Sequence, residues 1–373
     1  MIINKDFYYI DNDKLELRTV SAYQFLSNFD DHDYVYVEFK WSLAKLTECL
    51  AHDDYLNRLI HGNLYLILCN SHEAFHDLVH EIYMRVVKEL QIPEHKILLL
   101  SESADILDEV KQVASSLGKQ EIKVKWARIF EWGACQHAVH YQKGIQNAKL
   151  IEKPFSKAYL NFNRRWRLHR PALVALLKAN NLLDRGYVSL APIEGHTWEN
   201  IWGQLLHQHN AEIKTTLEQH KEEICSLPPL FLDTTELYNN QAAWDDTTEY
   251  LYNDSYFSIV AETNYYDDKP GRFLSEKVFK PIIMKHPFIL VANAYSLKLF
   301  KELGYKTFSP FIDESYDNIE DNSKRLLAIL NEVKRLSYLN TTQLSEYLQG
   351  LNEVCEYNYQ FLMSKDIFIT DLN

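Results

Sequence analysis

The chain predicts an α/β protein with two Rossmann-like, parallel-sheet domains facing across a cleft, and three observations carry that expectation. Short apolar runs alternate with amphipathic stretches of helical spacing, first between residues 63 and 126 and again between 158 and 308. The alternation lapses and restarts around 145–157, where Lys153-Pro154 opens a basic stretch. At 373 residues the chain also exceeds what one ordinary core holds. We therefore expect a domain over 1–152, a second over 153–340, and a closing helical segment over 341–373 that packs back on the first domain.

The elements follow in order. Tyr34 to Phe39 alternates in strand fashion. Asn63 to Cys69 reads as a buried strand, and His76 to Leu90 carries apolar residues at Leu78, Val79, Ile82, Val86 and Leu90. Pro93 breaks that helix. Lys96–Leu100 is the next strand, Asp105–Leu117 a helix stopped by Gly118, and Ile122–Trp126 a further strand. Strand–helix–strand order implies parallel pairing with right-handed crossovers. Past the boundary come a strand (Ala158–Phe162), a helix (Arg170–Asn180, Pro171 in its first turn) and a strand (Gly186–Leu190). Residues 193–232 are less periodic and read as an insertion of helix and loop. Tyr256–Val260 is a strand. A helix opening at Glu276-Lys277 follows, stops at His286-Pro287 and runs into the strand Phe288–Val291. Ser296–Leu303 is a helix with Gly304 as its stop, Lys306–Phe308 a short strand, and 320–339 and 341–363 are closing helices.

Composition removes several function classes. A net charge of −13 argues against a broad nucleic-acid surface. No GxGxxG or GxxxxGK[ST] loop is present, and glycine is scarce at 10 residues. No apolar run reaches the ~18 residues that span a bilayer. The N-terminus lacks the layout of a signal peptide. The five cysteines are scattered and never in CxxC spacing, which fits buried thiols in a reducing cytoplasm. His207, His209, His220 and Cys225 are too loosely spaced for a metal site and read as helix-surface residues. No serine lies in a GxSxG elbow. The aromatic group Tyr250, Tyr252, Tyr256 and Phe257 reads as core packing.

Three stretches carry chemistry. Ser275-Glu276-Lys277 sets a carboxylate and an ammonium at a helix start, where free N–H groups and the helix dipole favour phosphate and a carboxylate can accept from ribose hydroxyls. The same pair also reads as a surface charge pair on an ordinary αβ unit. Lys153 to Arg170 holds six Lys/Arg residues, among them Arg164, Arg165 and Arg170. Guanidinium forks there suit a diphosphate, and Trp166 suits stacking on a nucleic-acid base. Val260-Ala261-Glu262-Thr263 places Glu262 at the carboxyl end of a strand, where parallel sheets hold ligands.

The runs Ser258–Thr263, Phe273–Lys277 and His286-Pro287-Phe288 resemble the donor-binding half of GT-B glycosyltransferases, nearest the α1,3-fucosyltransferase-like group. Glu302–Phe308 and Asp313–Asp317 resemble a related set of uncharacterised proteins, many of them from bacteriophages. The likeness covers about residues 158–335. It implies that Glu276 binds the ribose of a nucleotide sugar and that Lys277 and Arg170 hold its phosphates. It also implies an inverting reaction, with the nucleotide sugar as co-substrate, no cofactor and no metal. Ser275 stands where Thr is usual, and an acidic insert at Tyr265–Pro270 lengthens the loop before the motif. Residues 1–152 then become the acceptor side and 153–340 the nucleotide-sugar side. The acceptor hydroxyl belongs to a glycan, a lipid-linked sugar or, on a phage-type enzyme, a modified DNA base. A general base should come from the first domain. The candidates are Glu131, after the Ile122–Trp126 strand, and His72 and Glu73, after the Asn63–Cys69 strand. A non-catalytic nucleotide-sugar-binding module is the remaining reading.

Overall fold

β-Branched and leucine-rich runs become the parallel strands, as their burial on both faces requires. The computed structural model describes residues 5–11, 14–18, 33–39, 43, 45–51, 54–70, 77–135, 155–190, 196–232, 249–266, 272–364 and 369–370. It divides into two compact units. One comprises Met1–Trp132 with Asp268–Phe273 and Asp366–Asn373, and the other Gly133–Asp267 with Leu274–Lys365.

The first unit is built on a seven-stranded sheet of order β11-β6-β5-β4-β3-β1-β2. Its strands are β1 (Lys5–Asp11), β2 (Lys14–Arg18), β3 (Asp33–Phe39), β4 (Leu64–Asn70), β5 (Ile97–Ser101), β6 (Lys123–Ala127) and β11 (Ile369–Thr370). The run β1-β3-β4-β5-β6 is parallel throughout. β2 and β11 close the two edges in antiparallel pairing. The period of two along β3 and β4 sorts side chains onto two faces. Val35, Val37, Phe39, Leu66 and Leu68 join the larger core. Tyr34, Tyr36, Ile67 and Cys69 face the other way, with Leu100. The helix expected from His76 is α-helical over Leu78–Glu81 and continues with π-type turns over Ile82–Glu89. Ile106–Leu117 is helical and ends at Gly118, whose φ of 61° takes the left-handed cap.

The second unit holds a four-stranded sheet, order β10-β9-β7-β8, parallel in every pairing. Its strands are β7 (Tyr159–Asn161), β8 (Gly186–Val188), β9 (Phe257–Ala261) and β10 (Phe288–Val291). The two-domain α/β class with parallel sheets read from the sequence is the one observed. After β7 the chain turns one way to β8 and later the other way to β9. The carboxyl ends of β7 and β9 therefore flank the point where the strand order reverses. The helix His169–Ala179 follows β7 and is buried from His169 through Leu177. It packs against the helices Ala211–Gln219, Lys221–Cys225 and Asn322–Ser337.

Among its described residues the 193–232 insertion holds three helices, Trp198–Gln208, Ala211–Gln219 and Lys221–Cys225. Thr197 and Asn210 cap the first two with side-chain oxygens. One expected strand is absent: Lys306–Phe308 has no regular secondary structure and pairs with no strand among the described residues. Asn358 satisfies it instead, its Oδ1 accepting from Lys306 N at 2.8 Å and its Nδ2 donating to Lys306 O at 2.8 Å. A buried amide substitutes here for a ladder. The expected β-strand at Gly186–Leu190 ends at Val188, and Leu190 forms a bridge with Leu230. Among the described residues no helix is long and apolar enough to cross a membrane.

Candidate functional site

Glu262 ends β9 and organises the whole constellation. Its carboxylate is buried. One oxygen accepts from Ser275 N at 2.9 Å. The other accepts from Ser275 Oγ at 2.6 Å and from Thr263 N at 3.0 Å. A single carboxylate thus fixes both the strand end and the residue that caps the next helix. Ser275 is the N-cap of the helix Glu276–Ile283, with extended backbone and its hydroxyl facing the Lys277 N–H. Pro281 inside this short helix leaves it well packed, with Val278, Phe279, Ile282 and Ile283 buried.

Lys277 rises from that first turn. Its ammonium donates to Ser275 Oγ at 2.9 Å, Thr263 Oγ1 at 3.3 Å and Glu276 Oε1 at 2.9 Å, and lies 4.0 Å from Glu262 Oε2. Three donors and three acceptors leave the ammonium oriented but still partly open, at 28% side-chain exposure. Burial pushes the Glu276 carboxyl up. The Lys277 charge and hydrogen bond, its own backbone N–H and the Arg170 charge outweigh this and hold it below its ordinary value.

On the other side of the switch point, the first turn of His169–Ala179 carries Arg170. The guanidinium is buried and directed at backbone. It donates to Ala261 O and Glu262 O, both at 3.0 Å, and to Arg165 O at 3.1 Å. His169 beside it contacts Glu262 O through Nε2 at 2.9 Å, so that nitrogen carries the proton. Its ring stacks on Tyr265 at 5.1 Å. Burial, followed by the Arg170 charge, keeps His169 neutral well below the usual imidazole range. Two consecutive side chains of one helix therefore grip the carboxyl end of β9.

The residues singled out in the sequence separate accordingly. Glu262, Ser275, Glu276 and Lys277 share one cluster, and the Arg170 charge reaches it. Arg164 and Arg165 lie on the turn before the helix with exposed side chains. Glu131, in the first unit, is buried in helical residues 129–135 and ion-paired with Arg128 one turn back. His72 and Glu73 lie outside the described residues.

The sequence reading missed the polar lining of the same strand ends. Asn161 and Asn163 are fully buried at the end of β7. Asn161 Nδ2 donates to Ile259 O at 2.7 Å, and Asn163 N to Ser189 Oγ at 3.0 Å. In the first unit Glu38, Asn70, Ser101 and Glu102 are buried at or near the carboxyl ends of β3, β4 and β5. A polar residue closing an apolar run was the available signal. The expectation that His209 is a surface residue is overturned: it is 3% exposed. It caps the helix Trp198–Gln208 with extended backbone, which turns its ring toward Tyr266 at 6.2 Å. In the aromatic group, Tyr252, Tyr256 and Phe257 are core as expected, while Tyr250 is 59% exposed. No group of three His, Cys, Asp or Glu among the described residues could hold a metal.

No protein-family model matches the chain, and no curated protein matches it. Solved structures are similar at the level of chain course. The trehalose-6-phosphate phosphatase N-terminal domain of Candida albicans is 11% identical over 91% of this chain and 70% of its own, with a TM-score of 0.45. The UDP-forming α,α-trehalose-phosphate synthase of Burkholderia xenovorans is 10% identical over 91% and 73%, with a TM-score of 0.44. That of Burkholderia vietnamiensis is 11% identical over 88% and 71%, also with a TM-score of 0.44.

Proposed function

We propose that the protein is a GT-B glycosyltransferase that moves a sugar from a nucleotide-diphosphate sugar to a hydroxyl acceptor, with inversion and without a metal. The observation that carries this is the Lys277 ammonium, set on a helix start beside Glu276 at the switch point of a parallel sheet. In this reading the Glu276–Lys277 pair opens when donor arrives: Glu276 accepts from the ribose hydroxyls and Lys277 turns to the phosphates. Arg170 acts mainly as a charge behind the site, since its N–H groups bond carbonyls. Arg164 and Arg165, with exposed side chains on the turn before the helix that carries Arg170, supply guanidinium forks of the kind that suit a phosphate.

The chemistry asks for two things. The acceptor oxygen must lose its proton as it attacks the sugar carbon, and the leaving diphosphate must be stabilised as its charge grows. Preorganised cations supply the second, which is the ground for proposing no metal. The first calls for a carboxylate or imidazole beside the acceptor, and Glu131, His72 and Glu73 are the candidates for it. The testing experiment is a thermal-shift screen against nucleoside diphosphates and their sugars, followed by turnover with and without EDTA. Stabilisation by one nucleotide and EDTA-insensitive turnover are expected. A strict Mg²⁺ or Mn²⁺ requirement would defeat the metal-free mechanism. One observation favours a second reading, a nucleotide-sugar-binding module without catalysis: the Glu131 carboxylate is buried against Arg128. Nucleotide binding with no turnover would select it.

A further inference from the structure

A pocket of about 190 Å³ opens in the second unit beyond the ends of β7 and β8. Its walls are Trp166, from the turn after β7, and Trp198, at the start of the insertion's first helix, facing Pro228-Pro229. Glu199 and Thr197 stand at its rim with exposed side chains. Sites for whole drug-sized ligands run to roughly 300–1,000 Å³, so this one suits a single ring.

Its chemistry narrows that ring. Among the described residues the lining holds an imidazole, His196, but no Lys or Arg, so no guanidinium or ammonium is there to hold a phosphate or carboxylate. The two indoles lean on one another at 5.2 Å and 57°, which leaves no parallel slot for a flat base to enter. They offer an angled apolar wall of the kind that meets the C–H face of a puckered ring. Beside them stands the exposed carboxylate of Glu199. The Glu199 backbone N–H and the Thr197 hydroxyl bond it and hold it ionised below its ordinary range. A carboxylate has about four acceptor positions, so about two remain, which matches a pair of neighbouring hydroxyls.

We propose that this pocket is a carbohydrate subsite, binding a neutral pyranose ring with its apolar face on Trp166 and Trp198 and two vicinal hydroxyls on Glu199. The pocket stands on its own residues. Taking its occupant as part of the acceptor rests on the donor reading above, and makes that acceptor a glycan rather than a DNA base.

The test uses the full chain and a panel of free neutral saccharides: the methyl glycosides of glucose, galactose and mannose, with lactose and cellobiose. Binding is followed by tryptophan fluorescence and saturation-transfer NMR. At least one saccharide should bind in the millimolar range, and both Glu199→Gln and Trp166→Ala should weaken it about tenfold or more. Glu199 is exposed, so its variant folds, and circular dichroism checks both. Binding of the nucleoside diphosphate found in the thermal-shift screen should stay within about twofold in each variant. If no panel member binds below about 50 mM, or neither variant weakens binding, the subsite does not exist. If the variants instead weaken nucleotide binding, the pocket holds the base and the proposal falls while the donor reading survives. Saccharide binding with the expected variant losses, and no nucleotide binding at all, overturns the donor reading alone.

Discussion

Lys277 and Arg170 are both cations at helix starts, yet their surroundings give them different work. Lys277 donates to two hydroxyls and one carboxylate, contacts that a phosphate can replace. Lys277→Ala should therefore weaken binding of a nucleoside diphosphate by roughly 1.5–3 kcal/mol, about 10- to 100-fold, with folding little changed. Unchanged affinity by calorimetry would count against the donor site. Arg170 instead satisfies the Ala261, Glu262 and Arg165 carbonyls from inside the fold. Arg170→Ala removes the guanidinium and orphans buried acceptors, so it should cost about 2–4 kcal/mol in denaturant unfolding. Arg170→Lys should restore little of this, because an ammonium lacks the planar fork. A loss of nucleotide affinity with unaltered stability would show that Arg170 contacts phosphate directly.

At the scale of elements, stops and joints set the frame. Gly304 ends the Ser296–Glu302 helix at φ 97°, and a Cβ there would run into the Phe361 ring. Gly304→Ala meets both strain and overlap, so thermal unfolding should show a loss above about 1 kcal/mol. A neutral result would mean that the final helix, which carries Phe361, shifts to make room. That final helix, Thr341–Met363, begins at a capping box of Asn340 and Gln343. Its Asn358 replaces the sheet pairing expected at Lys306–Phe308. The motif Ser275-Glu276-Lys277 was legible as a helix start because Ser at an N-cap before a charged first turn is a local signal. That Glu262 would become its brace was not, since the two are 13 positions apart and meet only through the β9 end.

Over the whole molecule, charge burial makes an acid-stability prediction. His209 and His286 are pushed by burial down to about 4, and His169 well below its usual value. Each is neutral when folded and takes up its proton on unfolding. For His209 and His286 that stability is full above about pH 6.5 and is lost as the pH falls through about 4, and His169 acts in the same sense. Glu314 and Asp317, whose carboxyls burial raises, act in the opposite sense, so the measurement must be differential. His286 bridges the Ser258 hydroxyl and the Ser255 carbonyl. Between pH 4 and 6.5, wild type should lose about 1.4 kcal/mol per pH unit more than His286→Gln. Equal slopes would mean that His286 is charged in the fold.

Alternating apolar runs, caps and glycine stops determined the alternating elements between 63 and 126 and between 158 and 303, because period and turn chemistry are written locally, while β1, β2 and β11 were not legible. The candidate donor residues at Glu262 and Ser275–Lys277 were legible for the same reason. Tertiary structure alone decided that Glu262 is a brace, that Arg170 faces carbonyls, that His209 is buried and that Trp166 meets Trp198. Each of these depends on which distant chain atom supplies the hydrogen-bond partner or covers the ring, and hydrogen bonding and burial are settled by proximity in space.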